Sequence, residues 1–425
     1  MKFSAFFAIL SATSALGARV PGANGKITYD GYKAFRIHTG ENEALVKEKV
    51  ATLKETINFN MDTAEHLDVV VPPKEVAAFE ALNLEAVVIH EDLGADIRKE
   101  GDFATYESVA AAAVPSITWF NSYHAYADHV TWFRDVQAAF PSNSELFSAG
   151  QSVQGRDIFG IHLWGSGGKG SKPAVYFHGT VHAREWISAK VVEYITYQLV
   201  TGYSTDSAVK AILDKYDFYI IPFVNPDGFV YSQTTNRLWR KNRMTRSGTS
   251  CVGTDINRNW PYKWELTNGA SPDPCNETFK GRAAGDTPEL QGVVAFTKSL
   301  AAGKGIKLYI DWHSYGNYIL TPYGYSCSAR PANNARQLEL ARGLNTRIQA
   351  VSGTRHTVGG ACSTLYATIG DSTDYLTDVS KAEFAWTVEL RPGSSASNGF
   401  VLPAAQILPS GKEQWEGMKW LLATM

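Results

Sequence analysis

Apolar residues recur along the chain with two different spacings, and the alternation of these spacings predicts the secondary structure. From Ser116 onward, short apolar runs predict buried strands: FGIHLWG, AVYFH, FYIIPFVN, LYIDWHS and FAWTVELR. Longer amphipathic runs between them predict helices: YADHVTWFRDVQAAF, WISAKVVEYITYQLV, LELARGLNTRIQAV and KEQWEGMKWLLATM. Strands that alternate with helices are typical of an α/β domain, so we expect a mixed, mostly parallel central sheet flanked by helices.

The first 18 residues follow neither spacing. MKFSAFFAILSATSALGA has one early lysine, then an apolar run, then small residues near Ala15 and Ala18. This order predicts a cleaved secretory signal peptide. The apolar run is shorter than the roughly 20 residues that span a membrane, and no later apolar stretch reaches that length. We therefore expect residues 1–18 to be removed and the protein to be secreted and extracellular, without a membrane anchor.

The front segment, residues 19–112, is acidic and has its own alternation. Its apolar runs give the order β-α-β-α-β, and it has 10 lysines and arginines against 17 acidic residues. An alanine-rich stretch from Gly101 to Ser116 links it to the rest. A small α+β module and a linker behind a signal peptide predict the propeptide of a secreted zymogen, with a catalytic domain at 113–425. A permanent two-domain protein is the alternative; Arg98-Lys99 and the alanine run are the candidate cleavage sites.

The cysteine content predicts disulfides, and the net charge bears on which partners the protein could bind. Four cysteines in a secreted chain predict two disulfides, and the sequence leaves three pairings open for Cys251, Cys275, Cys327 and Cys362. A zinc cluster is disfavoured because no CxxC pair occurs. Asn276 begins the sequon Asn-Glu-Thr and is a predicted glycosylation site. The formal net charge of -2 gives no reason to expect nucleic acid or a membrane as partner, and we expect a monomer.

Polar residues follow several of the predicted strands, where crevices form in α/β sheets. HGTVHAREW places His182 and Glu185 three positions apart after AVYF, which suits either two metal ligands or an incidental ion pair. His313 follows LYIDW. Glu389 lies inside WTVEL, where a buried carboxylate needs a partner. The runs NRLWRKNR and DINRNWPY are rich in arginine and asparagine, which suits either a solvated charged surface or an anion-binding site. The second is possible because guanidinium groups bind carboxylates bidentately.

Six motifs in order make the resemblance specific: HAREW, NPDGF, NRLWRKNR, DINRNW, HSYG and TVELRP. With these motifs the chain resembles zinc metallocarboxypeptidases of the carboxypeptidase A type (peptidase family M14) from about Trp119 to its end. Residues 19–112 resemble the propeptide of a fungal-like secreted zymogen. The resemblance implies a carboxypeptidase-like fold and a hydrolase with one Zn²⁺ per chain. It also implies peptide or protein C-termini as substrates and the propeptide as an intramolecular inhibitor.

The same resemblance implies a role for each polar residue of the motifs. His182, Glu185 and His313 match the zinc ligands, which leave one position open for water. Glu389 matches the general base, and Arg240 matches the cation that stabilises the tetrahedral oxyanion. Asn257 and Arg258 match the clamp for the substrate's terminal carboxylate, and Tyr366 matches the tyrosine that closes over the bound end residue. The matches for neighbouring subsites are Arg184, Arg237, Ser314 and Tyr315. The family pattern also pairs Cys251 with Cys275 and Cys327 with Cys362.

Residue preference depends on the base of the pocket. The position where the family's aspartate selects basic side chains is Thr373, so the resemblance implies apolar or aromatic C-terminal residues. The rest of the wall is small or apolar and comprises Leu320, Gly324, Ala361, Leu365, Thr368 and Thr387. Asp371 departs from the family pattern and is the basis of a broader alternative that includes basic residues. A further alternative is a deacylase of the wider fold superfamily, which Tyr366 and the Asn257-Arg258 clamp disfavour. Another is a non-catalytic peptide-binding homologue, which the presence of Glu389 and of all three metal ligands disfavours.

Overall fold

A computed structural model gives the fold of the chain and describes residues 25–58, 66–109, 113–394 and 399–425. The predicted signal peptide, residues 1–18, lies outside the described residues. The chain divides after Leu93 into two compact units. Among the described residues, no helix has the length and the apolar character that crossing a membrane requires.

The front unit is a small α+β module. Its elements are β1 (Lys33–His38), α1 (Glu43–Val50), β2 (Ile57–Asn58), β3 (His66–Val71), α2 (Val76–Glu80) and β4 (Ala86–His90). The strands form an antiparallel sheet in the order β2-β3-β1-β4. Apolar residues of β1, β3 and both helices form its core. The predicted order β-α-β-α-β lacked β2, because a two-residue strand is too short to show a period.

Helix α3 (Leu93–Arg98) leads into the second unit, which carries the large sheet. The strands of this sheet are β5 (Ser144–Gln151), β6 (Asp157–Leu163), β7 (Ala174–Gly179), β8 (Asp217–Ile221), β9 (Ile306–Gly316), β10 (Tyr318–Thr321), β11 (Thr357–Gly360) and β12 (Phe384–Gly393). The helices are α4 (Tyr126–Ala139), α5 (Trp186–Gly202), α6 (Ser207–Lys215), α7 (Pro226–Thr234), α8 (Pro288–Ala302), α9 (Asn334–Ser352), α10 (Ala361–Thr364), α11 (Ser372–Asp378) and α12 (Ile407–Thr424).

The strand order in this sheet is β11-β10-β12-β9-β7-β8-β6-β5. The central neighbours β12, β9, β7 and β8 run parallel, and β10 and β11 also run parallel to each other. The antiparallel pairs are β10 with β12, β6 with β8 and β5 with β6. Strand β7 is buried on both faces: Val175 and Phe177 pack into one apolar cluster and Ala174 and Tyr176 into another. A sheet covered on both faces is what parallel pairing requires. The predicted mixed, mostly parallel α/β fold is confirmed.

The NPDG motif fixes the chain next to the sheet. Asn225 caps α7 by accepting a hydrogen bond from the backbone N–H of Gly228, and Pro226 occupies the first helical turn. The side-chain amide of Asn225 also donates to the carbonyls of Val181 and Lys241 at 3.1 Å each. A Cβ at Gly228 would lie 2.5 Å from the Asn225 side chain, so only glycine fits there. Asn225 thereby joins the loop after β7 to the loop that contains Arg240.

Both disulfides form as the family pattern implied. Cys251 is bonded to Cys275 and Cys327 to Cys362. The first closes a loop next to the sequon, where Asn276 is exposed and its side-chain oxygen accepts hydrogen bonds from Thr278.

Candidate metal centre and active site

The residues that the sequence singled out meet at the carboxyl ends of three adjacent strands. His182 and Glu185 lie in the short connection between β7 and α5, which begins at Trp186. His313 is on β9, and the register of the sheet places Glu389 of β12 directly beside it. Because the ends of parallel strands meet at one edge of a sheet, positions far apart in sequence come together there.

Three side chains converge closely enough to hold one metal ion. Glu185 Oε1 lies 2.9 Å from His182 Nδ1, and Glu185 Oε2 lies 3.0 Å from His313 Nδ1. The two Nδ1 atoms are 3.0 Å apart, and all three residues are buried. Ligands bound tetrahedrally at about 2.0–2.1 Å lie roughly 3.3 Å from one another, and two imidazoles with one carboxylate form a catalytic zinc donor set. The residues therefore fit Zn²⁺.

The charges around this cluster are complementary. Burial alone would raise the pKa of Glu185, but the imidazoles of His182 and His313 hold it well below its usual range. His182 Nε2 lies 3.1 Å from Asp255 Oδ1. The other oxygen of Asp255 accepts two hydrogen bonds from Arg240, at 3.1 Å from Nε and 2.8 Å from Nη2. Asp255 was not predicted as a site residue, although it opens the DINRNW motif.

Glu389 is the candidate general base of the site. Its Oε2 is buried and has no hydrogen-bond partner among the described residues. Burial raises the pKa of Glu389 to about 8, against the opposing effect of the His313 charge. A carboxylate inside this strand was expected to have a partner, and the charges that act favourably on Glu389 are those of His313 and Arg240. A carboxylate held next to a metal cluster without a structural bond is free to exchange a proton.

Comparisons with known proteins agree with this geometry. Residues 129–417 match the Zinc carboxypeptidase family, Peptidase_M14. The chain belongs to the zinc carboxypeptidase family. It is 46% identical over 419 residues to a metallocarboxypeptidase A-like protein of Trichophyton verrucosum, covering 97% of each chain. It is 44% identical to metallocarboxypeptidase A of Trichophyton rubrum over 400 residues, 92% of each chain. The protein is thus a metallocarboxypeptidase of the carboxypeptidase A type.

Solved structures give the same fold. Carboxypeptidase A of Helicoverpa armigera is 26% identical, with a TM-score of 0.78 over 93% of this chain and 97% of that chain. Thrombin activatable fibrinolysis inhibitor is 24% identical and has a TM-score of 0.83 over 92% of this chain and 98% of that chain.

The predicted carboxylate clamp of this zinc carboxypeptidase lies against the metal cluster. Asn257 Nδ2 is 3.4 Å from His313 Nε2, and its Oδ1 accepts a hydrogen bond from the backbone N–H of Ser372. Arg258 Nη1 donates to the carbonyl of Asn257 at 2.7 Å. Burial raises the pKa of Tyr366 to about 12, and the charges of Arg258 and Arg240 act in the opposite direction. Tyr366 is therefore within electrostatic range of Arg258 of the predicted clamp and of Arg240.

Of the predicted subsite residues, Arg184, Ser314 and Tyr315 lie within two positions of a cluster residue in sequence, and Arg237 contacts the carbonyl of Arg184. The Arg184 guanidinium lies 4.2 Å from the ring centroid of Phe400, and the Tyr315 ring packs edge-on against the same ring. The backbone N–H of Ser314 donates to Glu185 Oε2 at 3.1 Å. Arg237 is fully buried and already engaged: its Nε and Nη2 donate to the carboxylate of Glu100 at 2.7 and 2.6 Å.

The predicted pocket base lies at the start of α11. Thr373 Oγ1 is 2.8 Å from Thr387 Oγ1, so two hydroxyls satisfy each other. Asp371 caps α11 through Oδ1 and accepts a hydrogen bond from Thr368 at 2.8 Å through Oδ2. Burial raises the pKa of Asp371. A Cβ at Gly324 would lie 2.6 Å from Asp371 Oδ2, so the pocket wall passes close to this carboxylate.

Proposed function

We propose that the protein is a secreted zinc exopeptidase, made as a zymogen, that hydrolyses the C-terminal peptide bond and releases single C-terminal residues. The observation that carries this proposal is the convergence of His182, Glu185 and His313 beside Glu389, whose buried Oε2 has no hydrogen-bond partner among the described residues. The preferred C-terminal residues are apolar or aromatic. The paired cysteines and the signal-like first 18 residues support secretion, and the exposed Asn276 is open to a glycan.

His182, Glu185 and His313 would hold one zinc ion. When bound, zinc supplies a Lewis acid that polarises the scissile carbonyl and increases the acidity of water. Glu389 takes the proton from the attacking water and delivers it to the departing amine. Its buried Oε2, which has no hydrogen-bond partner among the described residues, suits this role because no structural bond has to break first.

Arg240 stabilises the negative charge that develops on the carbonyl oxygen. Nε and Nη2 are fixed by Asp255, and Nη1 points to the metal cluster, 4.0 Å from Glu185 Oε1. A cation held rigidly before the reaction stabilises the developing charge without reorganising.

Asn257 and Arg258 bind the free carboxylate of the substrate, which limits the enzyme to chain ends. A guanidinium with an adjacent amide forms charge-assisted hydrogen bonds with a carboxylate, whereas an amidated end offers no negative charge. Tyr366 closes over the bound end residue.

The proposal is tested with trimmed protein, residues 113–425, and peptides that differ only in the last residue. Each peptide is supplied with a free or an amidated C-terminus, and products are identified by mass spectrometry with and without a zinc chelator. We expect single residues to leave only from free ends and only without chelator. Peptides that stay intact in every arm would instead indicate a non-catalytic peptide-binding homologue.

The broader specificity rests on Asp371. Its buried carboxylate borders the pocket wall at Gly324, where it could meet a basic side chain. If Asp371 acts in this way, Asp371→Asn lowers kcat/KM for Lys- and Arg-ending peptides by about tenfold or more, because a hydrogen bond to a charged group is worth about 1.5–3 kcal/mol. We expect little change for Phe- and Leu-ending peptides. Equal effects on both classes would assign Asp371 to the capping of α11 alone.

The zymogen proposal predicts that trimming activates the enzyme. Residues 100–109 belong to the second unit and are bonded to the rest of it: Glu100 binds Arg237, and Ser108 and the backbone N–H of Val109 donate to Asp135. While Glu100 holds Arg237, that guanidinium is not free to bind substrate. We expect kcat/KM of the full chain to be at least about tenfold below that of residues 113–425, since only an uncovered fraction can bind substrate. Equal rates on a small substrate would contradict inhibition by the front segment.

A further inference from the structure

A buried carboxylate lies behind the second imidazole of the metal cluster. Asp311 precedes His313 by two positions on β9, so both side chains project from the same face of the strand. Asp311 is completely buried, and its Oδ1 lies 2.8 Å from His313 Nε2 and 3.2 Å from His178 Nε2. Its Oδ2 accepts a hydrogen bond of 2.6 Å from the hydroxyl of Ser372. Asp311 was not predicted as a site residue.

The chemistry of metal binding requires an acceptor at this position. His313 presents Nδ1 to the cluster, and an imidazole that gives its Nδ1 lone pair to a metal carries its proton on Nε2. In a buried site this N–H needs an acceptor. The nearby Asn257 Nδ2, at 3.4 Å, is a donor, and the orientation of that amide is fixed because Oδ1 accepts from Ser372. Among the described residues, Asp311 Oδ1 is the acceptor near His313 Nε2, at 2.8 Å.

Asp311 Oδ1 has unused capacity to accept this proton. Its contacts with the two imidazoles are at ion-pair distance, but among the described residues no hydrogen bond is aligned with it. The other ligand imidazole shows the corresponding arrangement completed: His182 has Nδ1 in the cluster and Nε2 hydrogen-bonded to Asp255 Oδ1 at 3.1 Å. The two ligand imidazoles are therefore each backed by one buried carboxylate.

We propose that Asp311 is a positioning residue for zinc binding. It accepts the Nε2 proton of His313 and so holds that imidazole in the tautomer and orientation that present Nδ1 to the ion. Through Ser372 it also joins the metal ligand to the first turn of α11, which carries Thr373, and to Asn257 of the clamp. This inference rests on the proposed assignment of His313 as a zinc ligand.

The test measures the affinity of the full-length chain for Zn²⁺ by competition with a chromogenic chelator. Asp311→Asn keeps the shape of the side chain and removes its charge. We expect this variant to bind zinc about 10–100-fold more weakly than the unsubstituted chain, which is the usual effect of losing the carboxylate behind a ligand histidine. The melting temperature of each metal-free variant is measured alongside, so that a loss of affinity is not confused with unfolding.

Asp217→Asn is the matched control. Asp217 is also completely buried, and its Oδ1 lies 2.7 Å from His162 Nε2, but it is on β8 and accepts hydrogen bonds from the backbone of Gly170 and Lys172 instead of contacting the cluster. We expect this variant to lose thermal stability and to keep its zinc affinity. If Asp311→Asn behaves like this control, Asp311 is only structural and the inference is wrong.

His313→Gln tests the assignment of His313 as a zinc ligand, on which the role of Asp311 depends. If this variant keeps normal zinc affinity, His313 is not a ligand and both ideas fail. If it loses zinc while folded Asp311→Asn keeps it, only the role of Asp311 fails.

A second measurement needs no substitution at Asp311. The full chain is labelled with ¹⁵N-histidine and loaded with ¹¹³Cd²⁺, and imidazoles coupled to the metal are examined by NMR. We expect two such rings, each with an Nε2 proton that exchanges slowly with water. A single protected ring, accounted for by His182 and Asp255, would contradict the inference even if Asp311→Asn does not fold.

Discussion

Glu389→Gln is expected to lower kcat by about 10²–10⁴-fold while zinc stays bound, because the amide cannot take a proton from water. The side chain keeps its size, and none of the three converging atoms of the metal cluster belongs to it. KM is expected to change little, since the lost interaction acts on the transition state and not on substrate binding. The measurement is kcat and KM of the trimmed enzyme on a peptide with a free C-terminal Phe, together with its zinc content.

Glu383→Gln is the control for this substitution. Glu383 immediately precedes β12, is exposed and pairs with Lys307, far along the strand from the cluster. Its removal should leave kcat unchanged. A Glu389→Gln enzyme with zinc bound and a near-normal rate would remove Glu389 from the role of base.

The strands that carry the chemistry were predictable because they are central and buried on both faces. AVYFH, LYIDWHS and FAWTVELR became β7, β9 and β12; His182 and Glu185 follow the first run, and His313 and Glu389 lie within the other two. The edge of the sheet gave no comparable signal. SELFSAGQ of β5 is half exposed and polar, and TVGG of β11 contains two glycines, so neither shows the apolar run of a buried strand.

Residues that act through a partner were harder to predict than the ligands themselves. Asp255 and Asp311 each stand two positions before a predicted site residue, but their effect depends on which nitrogen of a histidine faces them. A similar limit applied to Arg237, whose engagement by Glu100 joins positions 137 residues apart. The motifs and their spacing identified the candidate ligands and catalytic residues. Which of these residues lie together depends on the strand order β12-β9-β7, and only the structure shows that order.

Arg240→Lys is expected to lower kcat by about 10²–10³-fold, the usual cost of losing one donor to a developing oxyanion. Asp255 holds Arg240 through Nε and Nη2, so the fork leaves Nη1 directed at the cluster. A lysine has a single ammonium group and cannot both bind Asp255 and reach the carbonyl oxygen in a fixed direction. Because lysine keeps the positive charge, a large fall in kcat would show that the direction of the donor matters and not only its charge.

Arg246→Lys is the matched control, because Arg246 donates to both oxygens of Asp286 at 2.8 and 2.9 Å and is also shielded from solvent, but it does not contact the cluster. We expect this variant to lose stability and keep its kcat. For Arg240→Lys the informative quantity is the ratio of the changes in kcat and KM. A fall in kcat at constant KM means that Arg240 acts in the transition state, as proposed. A rise in KM at constant kcat would instead assign Arg240 to ground-state binding and leave the oxyanion to zinc alone, because uniform binding energy does not accelerate the chemical step.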